Sequence, residues 1–334
     1  MTHKIETKIK FGFIGCGLIG NKRAKFLKNS SIIGCFDKDQ NKAKLFSKKF
    51  NCKNFQNYKK LINKSDAIVI CTPHKYLDKY ALISVKLNKN IFIEKPAGTS
   101  LRKIKKLIIK SKLKNKKIKI QVGFNHRYHP SIIKALDLVK KNKIGNLMYV
   151  RSRYGHGARK DYHKEWRMDK KISGGGELID QGSHIIDLSR IFLGEFVKIN
   201  STLKSFFWKT KVEDNAFLTL ITKDKKVAFL HASCTEWKNK FSFEIFGKTG
   251  KIEISGLGGS YGKEKLYFYK MSKKFGKPKL KVYRFDSKTD LSWKKELSDF
   301  IQSINLKKKV KCGLNDAYKN MEIIESSYKN INQI

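Results

Sequence analysis

A chain of 334 residues, 40% apolar and 12% aromatic, is long enough for two domains that each bury a core. Its formal charge of +46 would suit a nucleic-acid partner, but the charge is spread along the chain, only nine of the 74 basic residues are arginine, and no nucleic-acid-binding motif accompanies it. No apolar run reaches the roughly 20 residues that cross a bilayer, the N-terminus lacks a signal-peptide pattern, and the six cysteines are scattered without metal-ligand spacing; a cytoplasmic protein with reduced thiols, no metal, no membrane and no specific nucleic-acid partner is expected.

In chain order, the first 125 residues alternate short apolar runs with helical patterns. KFGFIG (10–15), SIIGCF (31–36), AIVICT (67–72), NIFIEK (90–95) and KIKIQVGF (117–124) read as strands. Helices are expected at 18–29, 40–50, 57–63, 76–88 and 100–113. In the last of these, lysines alternate with Ile and Leu as on the solvated face of an amphipathic helix. Near-continuous β-branched strands at this rhythm predict an α/β fold, a doubly wound parallel sheet of the Rossmann type over 1–125.

Gly15, Gly17 and Gly20 form a G-x-G-x-x-G between the first strand and the first helix. Gly15 permits the tight turn, Gly17 a close approach to pyrophosphate, and Gly20 helix–strand packing; amides around Leu18 and Ile19 face the phosphates. Asp37 ends the second strand, 17 residues beyond Gly20, where a carboxylate receives ribose hydroxyls and favours NAD. Lys38, Lys22 or Arg23 could offset its repulsion of a 2′-phosphate, so NADP stays open. Thr72-Pro73-His74 and Glu94-Lys95-Pro96 end later strands, where doubly wound sheets bind their ligands. Proline holds Lys95 extended and out of the following helix.

After Asn125 the rhythm changes. Helices are expected at 130–141 and 176–192, with a strand at 147–155 between them. From 197 to 285 the pattern is mainly strands: NAFLTLIT, VAFLHASC, FSFEIFG, GKIEIS, KLYFYK and LKVYRF, with 272–280 as an exposed loop and helices at 291–306 and 314–330. An α+β domain with an open, mainly antiparallel sheet is therefore expected over 126–334. Six of the nine arginines (127, 151, 153, 159, 167 and 190) fall within one 64-residue stretch, which suits either an anionic ligand near 151–167 or ordinary ion pairs. In SGGGELIDQGSHIIDL (173–188), a helix from Gly176 would put Asp180 and His184 on one face, with Asp187 at the same edge. A carboxylate beside an imidazole suits proton transfer at a hydroxyl, but on spacing alone a capped helix with an internal ion pair is the stronger reading.

Taken together, GFIGCGLIG, Asp37, CTPHKYL, EKPAGTS, GFNHRYHP and GGGELIDQGSHIIDL resemble the glucose–fructose oxidoreductase and inositol dehydrogenase (Gfo/Idh/MocA) family over essentially the whole chain. The resemblance implies a sugar or polyol oxidoreductase with Lys95 beside the nicotinamide, Asp180 orienting the substrate and His184 as general acid/base. It matches Asn125 and Arg127 to an N-x-R motif serving cofactor and substrate. A histidine common after T-P is replaced by Leu77, which puts a substrate contact from that loop in doubt. GHGARKDYHKEWR (155–167) resembles members tied to surface-sugar biosynthesis, so Arg159, Trp166 and Arg167 become candidates for holding an anionic or nucleotide-linked sugar. A homodimer or homotetramer is also implied. The readings that compete are a glycoside hydrolase or lyase using transient oxidation, and a dinucleotide-binding regulator without turnover.

Overall fold

A computed structural model describes residues 5–114, 118–272, 274–285 and 289–330. Lys117, expected to start a strand, and Lys273, in the expected loop, lie outside these residues, as do both ends of the chain. The chain forms two compact units: residues 1–124 with 293–318, and 125–292 with 319–334.

The first unit is built on six strands: β1 (Phe11–Ile14), β2 (Ile32–Phe36), β3 (Lys53–Asn54), β4 (Ala67–Ile70), β5 (Asn90–Glu94) and β6 (Ile120–Gly123). They pair in parallel in the order β3-β2-β1-β4-β5-β6, the doubly wound arrangement. Every residue of β1, β4 and β6 is buried, which explains the unbroken apolar runs of β1 and β4. β3 is only two residues long and half exposed, too short to leave a pattern in the sequence. Side-chain caps start several helices: Asp39 accepts from the amides of Asn41 and Lys42, Asn57 from Lys59 and Lys60, and Ser100 from Lys103. The helix Leu101–Lys112 buries Ile104 and Leu107 and turns its lysines to solvent.

The chain passes from the first unit to the second between Phe124 and Asn125. Residues 293–318 return to the first unit, because the helix Ser292–Asn305 lays Leu297, Phe300 and Ile301 into the core that contains Phe92. The Phe92 and Phe300 rings meet edge-on at 5.6 Å. An amphipathic helix announces its apolar face in sequence but not which core will receive it.

The second unit carries β7 (Leu147–Gly155), β8 (Phe196–Lys204), β9 (Asn215–Thr222), β10 (Val227–Ser233), β11 (Lys240–Gly247), β12 (Gly250–Ser255), β13 (Glu264–Lys270) and β14 (Lys279–Phe285). They form one sheet in the order β14-β13-β12-β11-β7-β10-β9-β8. All neighbours are antiparallel except β7 and β10. Alternation sets the faces: along β9, Leu218 and Leu220 point into the core while their neighbours are half exposed. β8, at the edge, buries only Leu203, so its pattern is weak. The helices Pro130–Lys140 and Ser183–Leu193 pack on this sheet. Among the described residues no helix is long and apolar enough to cross a membrane.

Candidate active site

In the first unit, the turn after β1 passes against the end of β4. Gly15 has φ +98°, and a Cβ there would lie 2.6 Å from the Cys71 carbonyl carbon. A Cβ on Gly20 would lie 2.2 Å from the Gly15 oxygen, so this glycine is required for helix–strand packing. Gly17 differs: a Cβ there would meet nothing within 4 Å, which leaves its outer side open to an approaching phosphate. Asn21 fixes the loop by donating to the carbonyls of Cys16 (2.9 Å) and Gly17 (3.1 Å). Asp37 reaches back from the end of β2, accepting from the amides of Cys16 (2.7 Å) and Asp39 (2.9 Å). A carboxylate oxygen accepts more than one bond, so both retain capacity for ribose hydroxyls. This loop and carboxylate fit a dinucleotide.

Of the cations that could offset Asp37's repulsion of a 2′-phosphate, Lys38 lies over the Tyr76 ring, 4.4 Å from its centroid, and Lys22 over Trp293 at 5.6 Å. Arg23 is a correction: it is fully buried, so it cannot meet a 2′-phosphate. Its guanidinium pairs with Glu94 and, at 2.8 Å, with Glu296, and lies over Phe92 (4.0 Å) and Trp293 (4.7 Å). Burial alone would lower its pKa, but the two carboxylates more than offset this and hold the charge firmly. Glu94, expected at the cofactor, spends its carboxylate on Arg23. Gly123 makes room, since a Cβ there would fall 2.7 Å from Arg23 Nη2. Lys95 follows, half-buried, joined to Pro96 by a cis peptide bond. Thr72 and Pro73 are half-buried and His74 is buried at the start of the next helix. Leu77 is fully buried in that helix, a core residue rather than a site residue.

In the second unit, the triple glycine has three separate causes. Gly174 has φ +88°; a Cβ on Gly175 would lie 1.9 Å from the Tyr328 hydroxyl, and one on Gly176 would lie 2.0 Å from the Glu213 carbonyl. Glu213 Oε1 then accepts from the amides of Gly176 and Leu178, each at 3.0 Å, and from Tyr328 at 2.7 Å. The expected regular helix from Gly176 is instead a π-helical turn, Leu178–Gly182, running into an α-helix, Ser183–Leu193. Asp180 lies in the π turn and His184 in the first α turn. Asp180 accepts from Arg167 Nε at 3.0 Å, and His184 is buried with its ring stacked on His126, centroids 3.9 Å apart. Asp187, expected at the edge of His184, is buried and bound by Arg127 through Nε (2.7 Å) and Nη2 (2.5 Å). Arg127 therefore spends Nε and Nη2 on Asp187. Asn125, also buried, donates to Ser292 Oγ at 3.0 Å.

The arginine cluster resolves into ion pairs. Arg151 meets Glu244 (2.6 Å), Arg153 Glu236 (3.6 Å), Arg159 Glu165 (2.6 Å) and Arg190 Glu195 (2.6 Å). Arg167 bridges Asp180 and Glu165, with its guanidinium 4.6 Å from the centre of the Trp166 ring. Two site-region residues escape the sequence reading. Glu177 is fully buried, accepts from Tyr162 Oη at 3.0 Å, and is pushed up to about 8 by burial and by the neighbouring Asp180 charge. His126 lies inside a motif otherwise noted for its neighbours. Only burial distinguishes either from an ordinary Glu or His.

Residues 9–124 match the oxidoreductase family with NAD-binding Rossmann fold, and residues 132–253 the GFO/IDH/MocA C-terminal domain. The chain is 30% identical over 212 residues to glucose-6-phosphate 3-dehydrogenase of Bacillus subtilis (strain 168), and the match spans 59% of each chain. In fold it is similar to a levoglucosan dehydrogenase in complex with NADH and levoglucosan (TM-score 0.85, 20% identity, 96% of this chain and 97% of that one). It is also similar to a UDP-N-acetylglucosamine 3-dehydrogenase from Acidithiobacillus ferrooxidans (TM-score 0.78, 19% identity, 96% of both chains). With a dinucleotide cradle in one unit, a carboxylate–imidazole turn in the other, and both domains matched in order, the chain belongs to the GFO/IDH/MocA family of NAD-binding oxidoreductases.

Proposed function

We propose that the chain oxidises or reduces a hydroxyl-bearing carbon of a sugar or polyol, with NAD preferred over NADP. The observation that carries this reading is the π-to-α junction, which brings a half-buried carboxylate, Asp180, and a buried imidazole, His184, into one short segment. A bound nicotinamide supplies hydride exchange. The chain does the rest. Gly17 admits the pyrophosphate and Asp37 takes the ribose hydroxyls. Asp180 orients the reacting hydroxyl, and a ring nitrogen of His184 takes its proton during oxidation. The Lys95 ammonium offsets the negative charge that develops on the oxygen.

The names of the relatives support a sugar as substrate, and two of them carry a phosphate or a nucleoside diphosphate. The arginines lend no weight to an anionic sugar, since each of the six is engaged with a carboxylate. The test is NADH formation with a panel of free, phosphorylated and nucleotide-linked sugars. His184→Ala is expected to lower turnover by about 10²–10⁴-fold with any substrate that works. Turnover near the wild-type rate in that variant would remove His184 from the chemistry. Asp37→Ala is expected to weaken NAD binding in a titration; an unchanged affinity would misplace the ribose contact.

A further inference from the structure

His184 does not stand alone. The His126 ring lies against it, centroids 3.9 Å apart and planes inclined by 22°. His126 belongs to the 3₁₀ turn Asn125–Tyr128, and its Nδ1 faces Asn125 Oδ1 at 3.2 Å. The same turn sends Arg127 to Asp187, three residues beyond His184 on the same helix. One short turn therefore grips the helix by an ion pair and the imidazole by a stacked ring. Tyr154 of β7 closes the assembly, tilted against His126 (5.1 Å) and edge-on to His184 (6.2 Å).

We propose that His126 is a positioning residue for the proton-transfer base: it holds the plane of the His184 ring, and the stacked pair takes up one proton far more readily than two. The inference rests on the general-base reading of His184. A flat neighbour restricts rotation of the ring, and a near-attack geometry depends on that restriction. Two imidazolium charges at this separation repel, so the pair titrates as a unit. Other charged or titratable groups of the described residues surround the pair. His129 meets His126 edge-on at 5.6 Å and itself faces Glu264 (3.1 Å) and Asp290 (3.9 Å). The phenol of Tyr261 lies behind Tyr154, with rings 4.9 Å apart. Among the described residues, the Arg127–Asp187 and Asp180–Arg167 pairs lie near as well, as does the buried Glu177, whose charge acts on Tyr154 and Tyr261.

The experiment compares His126→Ala, which removes the ring, with His126→Phe, which keeps a flat ring that cannot titrate. His126→Ala is expected to lower kcat about tenfold or more with KM for NAD unchanged. His126→Phe is expected to keep kcat within about threefold on the plateau, while the acid limb of kcat/KM moves to higher pH and becomes a single step. In a His184→Ala background, His126→Ala is expected to cost nothing further. Wild-type kcat and pH profile in both single variants would overturn the proposal, as would a full additional loss in the His184→Ala background. Imidazole NMR of the wild-type protein gives a reading independent of variant folding: a two-step, coupled titration of His184 supports the pair, and an independent one-proton curve overturns it. If His184→Ala itself keeps turnover, the general-base reading falls and this inference with it; if only the His126 variants are silent, this inference falls alone.

Discussion

Glu177 shows how burial makes chemistry that a residue name does not announce. With no exposed surface and the Asp180 charge three residues away, its carboxyl is pushed up to about 8. The unfolded chain releases this proton near the ordinary carboxyl value, about 4.5, so between there and about 8 the folded state holds a proton that the unfolded state does not. Stability is therefore expected to fall as pH rises through this window, and the contribution is gone above it. Glu177→Gln keeps the shape and the hydrogen bond to Tyr162 but removes the titration. Its Tm is expected to change less than that of the wild type between about pH 5 and 8.5, and to be higher at the upper end. Parallel Tm curves for the two proteins would show that Glu177 is ionised in the fold.

Among the elements, the Ser173–Leu193 segment decides the site. Its glycines read as permissive in sequence, and the structure names what comes close: Tyr328 at Gly175 and the Glu213 backbone at Gly176. Glu213 in turn caps the entrance by accepting two amides, so the π turn begins at a fixed place. Gly176→Ala is expected to destabilise the protein by about 2–4 kcal/mol, because a Cβ 2.0 Å from backbone has nothing flexible to displace. A urea midpoint unchanged from wild type would show that the turn adapts. The alternative position, Gly17→Ala, meets open space in the folded chain and is expected to leave the midpoint nearly unchanged while weakening NAD binding.

For the whole molecule, the informative feature is the return of residues 293–318 to the first unit. Arg23, from the first helix, is sealed between Glu94 on β5 and Glu296 on the returning helix, and Gln121 of β6 donates to the Glu296 carbonyl at 3.1 Å. Removing one partner of a buried ion network leaves charge without compensation. Arg23→Met is accordingly expected to cost about 3–5 kcal/mol in urea unfolding. A loss below about 1 kcal/mol would mean that water reaches the carboxylates.

Much of this was legible from the residues alone. Strand runs, the glycine loop, Asp37 and the strand-end motifs depend on local chemistry: period, φ > 0 and chain spacing are written along the backbone. The spacing of Asp180 and His184 is plain in the sequence, but the π turn that carries Asp180 is not, since the amides at its start are held by Glu213 from a distant segment. The partners of the arginines were not legible either. An Arg in sequence offers the same fork to a ligand or to a glutamate 93 positions away, as Arg151 does to Glu244. The sequence by itself determined the two sheet architectures, the dinucleotide cradle and the family. Only the tertiary structure decided that Arg23 is buried, that burial pushes the Glu177 carboxyl up, that His126 backs His184, and that a C-terminal helix completes the first unit. Local pattern fixes what each segment prefers, whereas burial and charge pairing depend on which distant segment arrives beside it.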